Sequence, residues 1–518
     1  MAFEGLASTW SSERTLLRQG AFLLVDKPAG VACRGAPGGS VELCARLAEH
    51  GLGRFRALEE LPERASGVAV LVAEGEPPGD GAAVRDGVLT GLRRYLLGVD
   101  ELRLSARGQL RPSEPGRAPI EYEVRARQQG RGLVEARTAL SAEQVLRSFA
   151  AAGQPVVGAS EASPATRLLL HVAGFEAGGL CAAAAPPCEF ESWLRGAPQR
   201  PPRELARALS DGALVRAALW PRYQAYRLCG EEGGEIAGVT AERYGEHALL
   251  DLSTEEAWAE RERLAECLMD HGARGVYVKR RLRADLRKQD AAELAPPLPL
   301  RGLAAAESLS VRQGELQFSV RLADGLSTGL FLDQRESWQR VREGAAGRSL
   351  LNLFCYTGAF SVAAASGGAS ASVSVDLSKR ALARLRENLE LNGLSGPQHR
   401  LLASDVLVWL GRAARAGRRF DWIVLDPPSF GTRKGGVLRA ERDYAGMVAS
   451  ALGLLEPRGR LLCVSHQRGF SSSDLRALVL EALEASGRTG TVHSWVGGWD
   501  APTLPGVSGT KSVLAEVA

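Results

Sequence analysis

From Ser349 onward the chain alternates two hydrophobic periods. "SLLNLF" is an unbroken apolar run of strand length, and "GAFSVAAASGG" after it reads as a buried helix closed by glycines. "SASVSVD" is a strand ending at Asp376, and "SKRALARLRENLELNG" repeats apolar positions at helical spacing until Gly393. "HRLLASD" is a strand ending at Asp405, "VLVWLGRAARAG" a helix, and "FDWIVLD" a strand ending at Asp426. "YAGMVASALGLLEPRG" and "RLLCVS" supply one more helix and strand. This order predicts an α/β domain: a doubly wound, Rossmann-like, mostly parallel sheet with helices on both faces. Such sheets bind ligands beyond the carboxyl ends of their strands.

Two Pro-rich stretches, "AAPPCEFESWLRGAPQRPPREL" ending at Leu205 and "ELAPPLPLRG" ending at Gly302, read as linkers or domain edges. They divide the chain into residues 1–190, 205–300 and 303–518. A length of 518 residues agrees with about three domains. Apolar content of 45% and charged content of 24% describe ordinary globular material. The net charge of +4 is too small for a global polyanion-binding surface, so any nucleic-acid site is a local patch. None of the eight cysteines forms a CxxC pair, which argues against zinc ribbons and iron–sulfur clusters and predicts reduced thiols and no metal. "MAFEGLASTWSSERTLLRQG" has acids and no apolar core, so no signal peptide is expected there. No apolar run nears the roughly 18 residues of a membrane span. These features predict a cytoplasmic protein with no membrane partner.

The junction "LLNLFCYTGAFSVAAA" places a tight turn at Thr357-Gly358 between strand and helix. Asp376 follows Gly358 by eighteen residues, a spacing that suits a carboxylate accepting both hydroxyls of a ribose. There is no GxGxxG, and a pyrophosphate would need several close backbone N–H groups. Adenosine joined to an amino acid fits one glycine better, which points to S-adenosylmethionine. "DPPSF", Asp426 to Phe430, removes two N–H donors after a strand and fixes the backbone. It turns Asp426 and nearby carbonyls toward a planar hydrogen-bonding target, on which Phe430 can stack.

The ordered set "GLSTGLFLDQR", "LLNLFCYTGAFSVAAASGGA", "SVDLSKRALARLRENLELNG", "LDPPSF", "AERDYAGMV" and "RGF" resembles the bacterial large-subunit (23S) ribosomal RNA methyltransferases of the RlmI and RlmK kind, class I enzymes using S-adenosylmethionine. The resemblance runs from about Arg222 to the end. "YQAYRL" and "EIAGVTAERYGEHALL" are similar to the small α/β domain that precedes catalysis in both groups. The resemblance implies cofactor contacts from Phe354, Tyr356, Thr357, Gly358, Asp376, Leu377, Ser378, Asp405, Val406 and Asp426. It implies that Asp426, Pro427 and Pro428 face the base.

Cytosine C5 needs a thiolate at C6 before it can attack a methyl donor. The cytosine-5 members carry that Cys in a "TCS"-like segment, where this chain has "LLCVSHQRGF" with Cys463. The pattern is closer to the guanine-N7 members, whose segment ends in "RGF". Guanine N7 has its own lone pair and needs positioning rather than a nucleophile. Arg468 or Asp426 would grip the guanine edge, and Cys463 would be core. Cytosine-5 chemistry through Cys463 is the alternative, and a non-catalytic ribosome-assembly factor is a second. The partner is ribosomal RNA, free or in an assembling large subunit, with the base in an open loop or flipped out. Two basic runs are candidates for phosphate contacts: "KRRLRADLRK", with Lys279, Arg280 and Arg281, and "GTRKGGVLRAER", with Arg433, Lys434, Arg439 and Arg442.

In the first block, "FLLVDKPAGVAC", "ASGVAVLVAE", "YLLGV", "LVEARTALSAEQVLRSFAAAGQPVVGAS" and "RLLLHVAGFEA" resemble the RluA-type pseudouridine synthases over about Leu17 to Phe175. That resemblance implies a mixed α/β fold around a largely antiparallel sheet. The family's catalytic Asp lies in "HRLDRxTSG". The matching stretch here is "EELPERASG", which puts Pro62 at the Asp and Glu63 at the following Arg. "GRTHQIR" becomes "LSAEQVLR". Glu60 or Glu63 would be the only nearby substitutes, on another face. The expectation is an inactive relative kept for RNA binding, with Tyr95 at the family's Tyr position. Retained synthase activity is the alternative.

Overall fold

The computed structural model describes residues 14–518 except 30, 34–40, 50, 63, 76–83, 86, 87, 90, 160–167, 217, 218, 220, 221, 283–293, 429, 434, 435, 468, 469, 498–500, 502 and 504–508; for 41, 84, 85, 88, 89, 211, 214, 215, 430–433 and 436–442 it describes the backbone alone. No helix among the described residues is long and apolar enough to cross a membrane. All eight cysteines are free.

The first unit is built on a ten-stranded sheet whose central strands are Phe22–Lys27, Ser66–Ala73, Leu170–Ala177, Leu92–Val99 and Arg131–Thr138. Pairing is antiparallel except where His171 and Val172 run parallel to Ser66 and Gly67. That parallel contact is tight. A Cβ on Gly67 would lie 2.3 Å from the Val172 carbonyl oxygen, so only glycine fits. Lys27 is fully buried, and its ammonium donates to the carbonyls of Val31 and Ala65, each at 2.7 Å. This bond set ties the end of the Phe22–Lys27 strand to the core. The Pro-rich stretch after this unit is partly an ordered helix, Cys188–Arg195, ended by left-handed Gly196. Phe190, Trp193 and Leu194 stand at helical spacing and bury against Leu133 and Leu169. That apolar stripe overrides the linker reading of the prolines around it.

The middle unit is a mixed sheet in the order Ala225–Cys229, Val239–Tyr244, His247–Leu252, Gly275–Arg280 and Arg301–Gly302. One face packs on helices Leu205–Arg216 and Arg261–Asp270. The other face sends Ala225, Tyr244, Leu249 and Tyr277 into the core of the last unit. The two units therefore share one apolar core across the expected boundary at 300–303. Buried Arg216 grips buried Glu235 with two bonds of 3.0 Å, so neither charge is left alone.

In the last unit the strands are β1 (Ser349–Leu353), β2 (Ala371–Asp376), β3 (His399–Ala403), β4 (Phe420–Leu425), β5 (Leu455–Ser465), β6 (Gly490–Val496) and β7 (Lys511–Val517). The helices are α1 (Arg335–Glu343), α2 (Ala359–Ser366), α3 (Lys379–Leu391), α4 (Val406–Arg415), α5 (Ala440–Leu452) and α6 (Ser472–Ala485). The sheet order is β3-β2-β1-β4-β5-β7-β6, parallel through β5. The last two strands are antiparallel, an edge that the alternating pattern did not predict. Successive side chains of β1 go to opposite faces: Leu350 meets α1, α2 and α3, while Leu351 and Leu353 meet α4, α5 and α6. Burial on both faces explains why these strands read as unbroken apolar runs. The order reverses between β1 and β4, which opens a crevice beyond their carboxyl ends.

Leu351 is wholly buried at the centre of this sheet. Leu351→Ala is expected to destabilise the last unit by about 2–5 kcal/mol, read as a lower denaturant midpoint for the transition that carries it.

Candidate active site

The turn after β1 is held in an unfavourable backbone. Phe354, Tyr356 and Gly358 have φ of 59°, 48° and 83°. For the two non-glycine residues this costs about 1–2 kcal/mol each. Neighbouring strands stabilise it. The Tyr356 N–H donates to Asp376 Oδ2 at 2.9 Å, and the Cys355 N–H to the Val375 carbonyl at 3.1 Å. The Thr357 hydroxyl donates to the Gly329 carbonyl. Gly358 opens α2, and a Cβ there would lie 2.0 Å from Leu385 Cδ1. Position 358 thus demands glycine on two counts.

Phe354, Tyr356, Thr357, Gly358 and Asp426 line one cavity, joined by Gly329, Phe331 and Gln334. Asp376 adjoins it through the Tyr356 bond, and its other oxygen accepts from the Ser378 N–H at 2.8 Å. Leu377 is exposed, and Ser378 caps α3. Asp405 caps α4 through the Leu407 and Val408 N–H groups, with Val406 buried behind it. The structure therefore gathers the turn residues with Asp426. It places Asp376, Leu377, Ser378, Asp405 and Val406 at the adjacent ends of β2 and β3 rather than in the cavity lining.

Asp426 is a different object from the open acceptor expected from "DPPSF". Its Oδ2 accepts from Gln334 Nε2 at 3.0 Å, and its Oδ1 pairs with His466 Nε2 at 3.0 Å. His466 Nδ1 lies 3.0 Å from the Thr510 hydroxyl, which in turn donates to Asp333. Burial works against charge on His466, but the bond and charge of Asp426, with Asp333 beyond, raise its pKa to about 9. The result is an imidazolium between two carboxylates. Nothing in the sequence reading singled out Gln334, His466, Thr510 or Asp333. One signal was available for His466. Strands β4 and β5 are parallel neighbours with Leu425 opposite Cys463, so Asp426 and His466 both lie just past adjacent strand ends.

Pro427 is buried and Pro428 exposed. Phe430 and Arg433 lie in a hairpin, Phe430–Arg433 with Gly436–Arg439, whose side chains are outside the described residues, as is that of Arg442. Lys434 and Arg468 are also outside them. The expected basic run at 279–281 is corrected in part. Lys279 is 1% exposed, so it offers no surface to a phosphate, and burial lowers its pKa to about 8. It is a strand residue facing the shared core, and its side chain points inward with the strand's alternation. Arg280 pairs with Glu255 at 3.1 Å and lies over Trp258, and Arg281 pairs with Asp251 at 2.5 Å. Cys463 is fully buried in the layer of α5 and α6, and burial pushes its thiol up to about 12.

The donor set fits S-adenosylmethionine on the structure's own terms. The turn has no side chain at Gly358 to fill the cradle, and a carboxylate stands at the end of β2. Among the described residues no cluster of His, Cys, Asp or Glu is arranged to hold a metal.

Gly358→Val is expected to abolish binding of S-adenosylmethionine by calorimetry, because the new side chain must displace Leu385. His466 gives a stability prediction. Its folded pKa near 9 exceeds the unfolded value of about 6.5, so its contribution is complete below 6.5 and is lost as pH rises through 9. The unfolding midpoint of wild type should fall more steeply between pH 7 and 10 than that of His466→Gln.

Comparison with known proteins agrees with this geometry. The model of an S-adenosylmethionine-dependent methyltransferase family matches residues 272–485. Ribosomal RNA large subunit methyltransferase I of Aeromonas hydrophila is 32% identical over 283 residues, 54% of this chain and 69% of the relative. Ribosomal RNA large subunit methyltransferase K/L of Chromohalobacter salexigens is 46% identical over 169 residues, but these are only 23% of that longer protein and 32% of this chain. A crystal structure assigned as a methyltransferase, SMU.776 in complex with SAH, superposes with a TM-score of 0.55 at 26% identity, over 65% of this chain and 85% of that one. The cofactor is S-adenosylmethionine, and the chain belongs to the family of S-adenosylmethionine-dependent ribosomal RNA methyltransferases.

Proposed function

We propose that the chain methylates a base of large-subunit (23S) ribosomal RNA in the cytoplasm, at N7 of guanine, as free RNA or in the assembling subunit. The observation that carries the reading is that the strained turn after β1 and the Asp426 corner wall the same cavity. S-adenosylmethionine supplies an electrophilic methyl group on sulfur. The residues of the chain orient the two reactants. Asp376 fixes the turn through the Tyr356 N–H. Gln334 and His466 fix Asp426, and the prolines after it leave carbonyls without competing N–H donors. Guanine N7 presents a lone pair and loses no proton, so alignment suffices and no general base is required. The names of the relatives from Aeromonas hydrophila and Chromohalobacter salexigens support ribosomal RNA as substrate.

The choice of N7 over cytosine C5 is supported by Cys463. A C5 enzyme needs a thiolate within reach of the base. Cys463 is fully buried, opposite Leu425 and bonded to the Tyr444 side chain, with its thiol hard to ionise.

For the first unit the proposed reading is a pseudouridine-synthase-like module that binds RNA without isomerising uridine. Pro62 carries no carboxylate. Glu59, which lines a small cavity with Arg93 and Tyr95, is held by Arg93 through Nε at 2.9 Å and through a second guanidinium nitrogen. Tyr95 is fully buried, and its hydroxyl donates to the Leu140 carbonyl at 2.8 Å. It is therefore placed as a core residue rather than a free stacking surface.

The reading is tested by incubating the protein with 23S RNA and methyl-labelled S-adenosylmethionine, then mapping the product by mass spectrometry. Label at N7 of a guanine is the expected product, and a 5-methylcytosine would overturn the choice of atom. Cys463→Ala should methylate as wild type does. Neither protein should release tritium from RNA carrying 5-tritiated uridine, and release would mean that the first unit is an active synthase.

A further inference from the structure

The segment "GLSTGLFLDQR" ends in residues whose roles are accounted for. Asp333 and Gln334 belong to the His466–Asp426 network, and buried Arg335 donates to the Ala225 carbonyl at 2.8 Å. Phe331 is not accounted for. Leu330 and Leu332 on either side are 4% and 3% exposed, while Phe331 is 45% exposed. Its ring is nevertheless fixed. It lies 5.6 Å from the Tyr356 ring and 5.9 Å from the His466 ring, and it lines the same cavity as Asp426 and Gly358.

From this we infer that Phe331 is the stacking surface for the methyl-accepting nucleobase. Three observations carry the assignment. A large aromatic surface held open to water beside a catalytic corner calls for a flat apolar ligand to cover it, and every nucleobase has such a face. The position favours the acceptor over the adenine of the cofactor. Ribose and adenine are expected on the side of β2 and β3, where Asp376 and Asp405 stand, and in the sheet order that side is across β1 from β4 and β5. Phe331 touches His466, which follows β5, and Tyr356, which follows β1, so it bridges the cofactor turn to the acceptor side. The polar edge is also at hand. The amide of Gln334 and the Asp426–His466 pair lie beside the ring, suited to the hydrogen-bonding rim of a base whose face rests on Phe331. This places base stacking on a residue well before β1 in the chain, in addition to any part played by Phe430. The inference rests on the reading of the substrate as RNA.

The test compares wild type with Phe331→Ala, Phe331→Leu and Phe331→Trp on full-length protein, with S-adenosylmethionine affinity by calorimetry and methyl transfer to 23S RNA at saturating cofactor. The alanine and leucine variants should bind the cofactor as wild type does and lose about ten- to a hundredfold in kcat/KM for RNA. The tryptophan variant should keep most of it. Leucine preserves apolar bulk, so its loss reports the aromatic face and not a folding defect. If Phe331→Ala weakens cofactor binding and leaves the RNA parameters unchanged, Phe331 is a wall of the cofactor site and the inference fails. Wild-type-like transfer by both the alanine and leucine variants would also overturn it. A wild-type protein that transfers no methyl group to RNA would instead sink the substrate reading itself.

Discussion

The bond from the Tyr356 N–H to Asp376 is the constraint on which the catalytic unit depends. The chain leaves β1 with Phe354 and Tyr356 in left-handed conformations that an isolated peptide would avoid. A carboxylate at the end of the neighbouring strand makes that path tolerable. In doing so it sets the distance between the Gly358 cradle and the β2 end, the two places that a nucleoside-bearing cofactor must span. The same carboxylate also accepts from Ser378 and so fixes the entry to α3, whose Leu385 packs over Gly358. Turn, carboxylate and helix thus form one closed set, and a change in any of them moves the cofactor site.

The middle unit takes part in that site. The segment from Asp324 to Phe331, whose Gly329 and Phe331 line the cavity, is clamped from both units. From the middle unit, Arg281 donates to the Leu326 carbonyl at 2.6 Å, and the hydroxyl of Tyr244 lies 3.1 Å from that of Thr328. From α3, Arg380 donates to Asp324 at 2.6 Å and Arg384 to the Thr328 carbonyl at 2.6 Å. Arg281 is thereby engaged by the protein itself, with Asp251 and the Leu326 carbonyl as its partners. It holds a loop of the catalytic unit in place beside the apolar core that the two units share.

What was legible in the sequence was what local periodicity encodes. The strands of the last unit buried on both faces, the helices with one apolar stripe, and the glycine at 358 each announce themselves within a few residues. The Asp426 corner was legible only as a motif. Its real surroundings, Gln334, His466 and Thr510, come from segments up to 92 residues away and meet through the sheet order, which periodicity does not carry. The antiparallel edge strands were missed for a related reason, since no helix separates them to mark a crossover. Lys279 was misread because a charge run looks alike whether its members face water or a core. Strand alternation sends one of three adjacent cations inward.

The charge arrangement at the corner bears on the choice of acceptor atom. A thiolate mechanism would need a nucleophile to ionise and a base to remove a proton from the ring, and among the described residues the corner offers neither a reachable thiol nor an unengaged base. Both oxygens of Asp426 and both nitrogens of His466 are already in hydrogen bonds. What remains is a fixed field: Asp426 and Asp333 favour the imidazolium of His466, and buried Lys511 opposes them. Under the N7 reading the acceptor base becomes cationic as the bond to carbon forms. The Asp426 carboxylate, held by Gln334 and His466 with no proton to move, would lower the energy of that change without reorganising. The same field would do little for a carbon nucleophile that must first be activated by covalent addition. Under the proposed N7 reading, the engaged state of Asp426, a less open acceptor than its motif suggested, suits a reaction limited by alignment and charge.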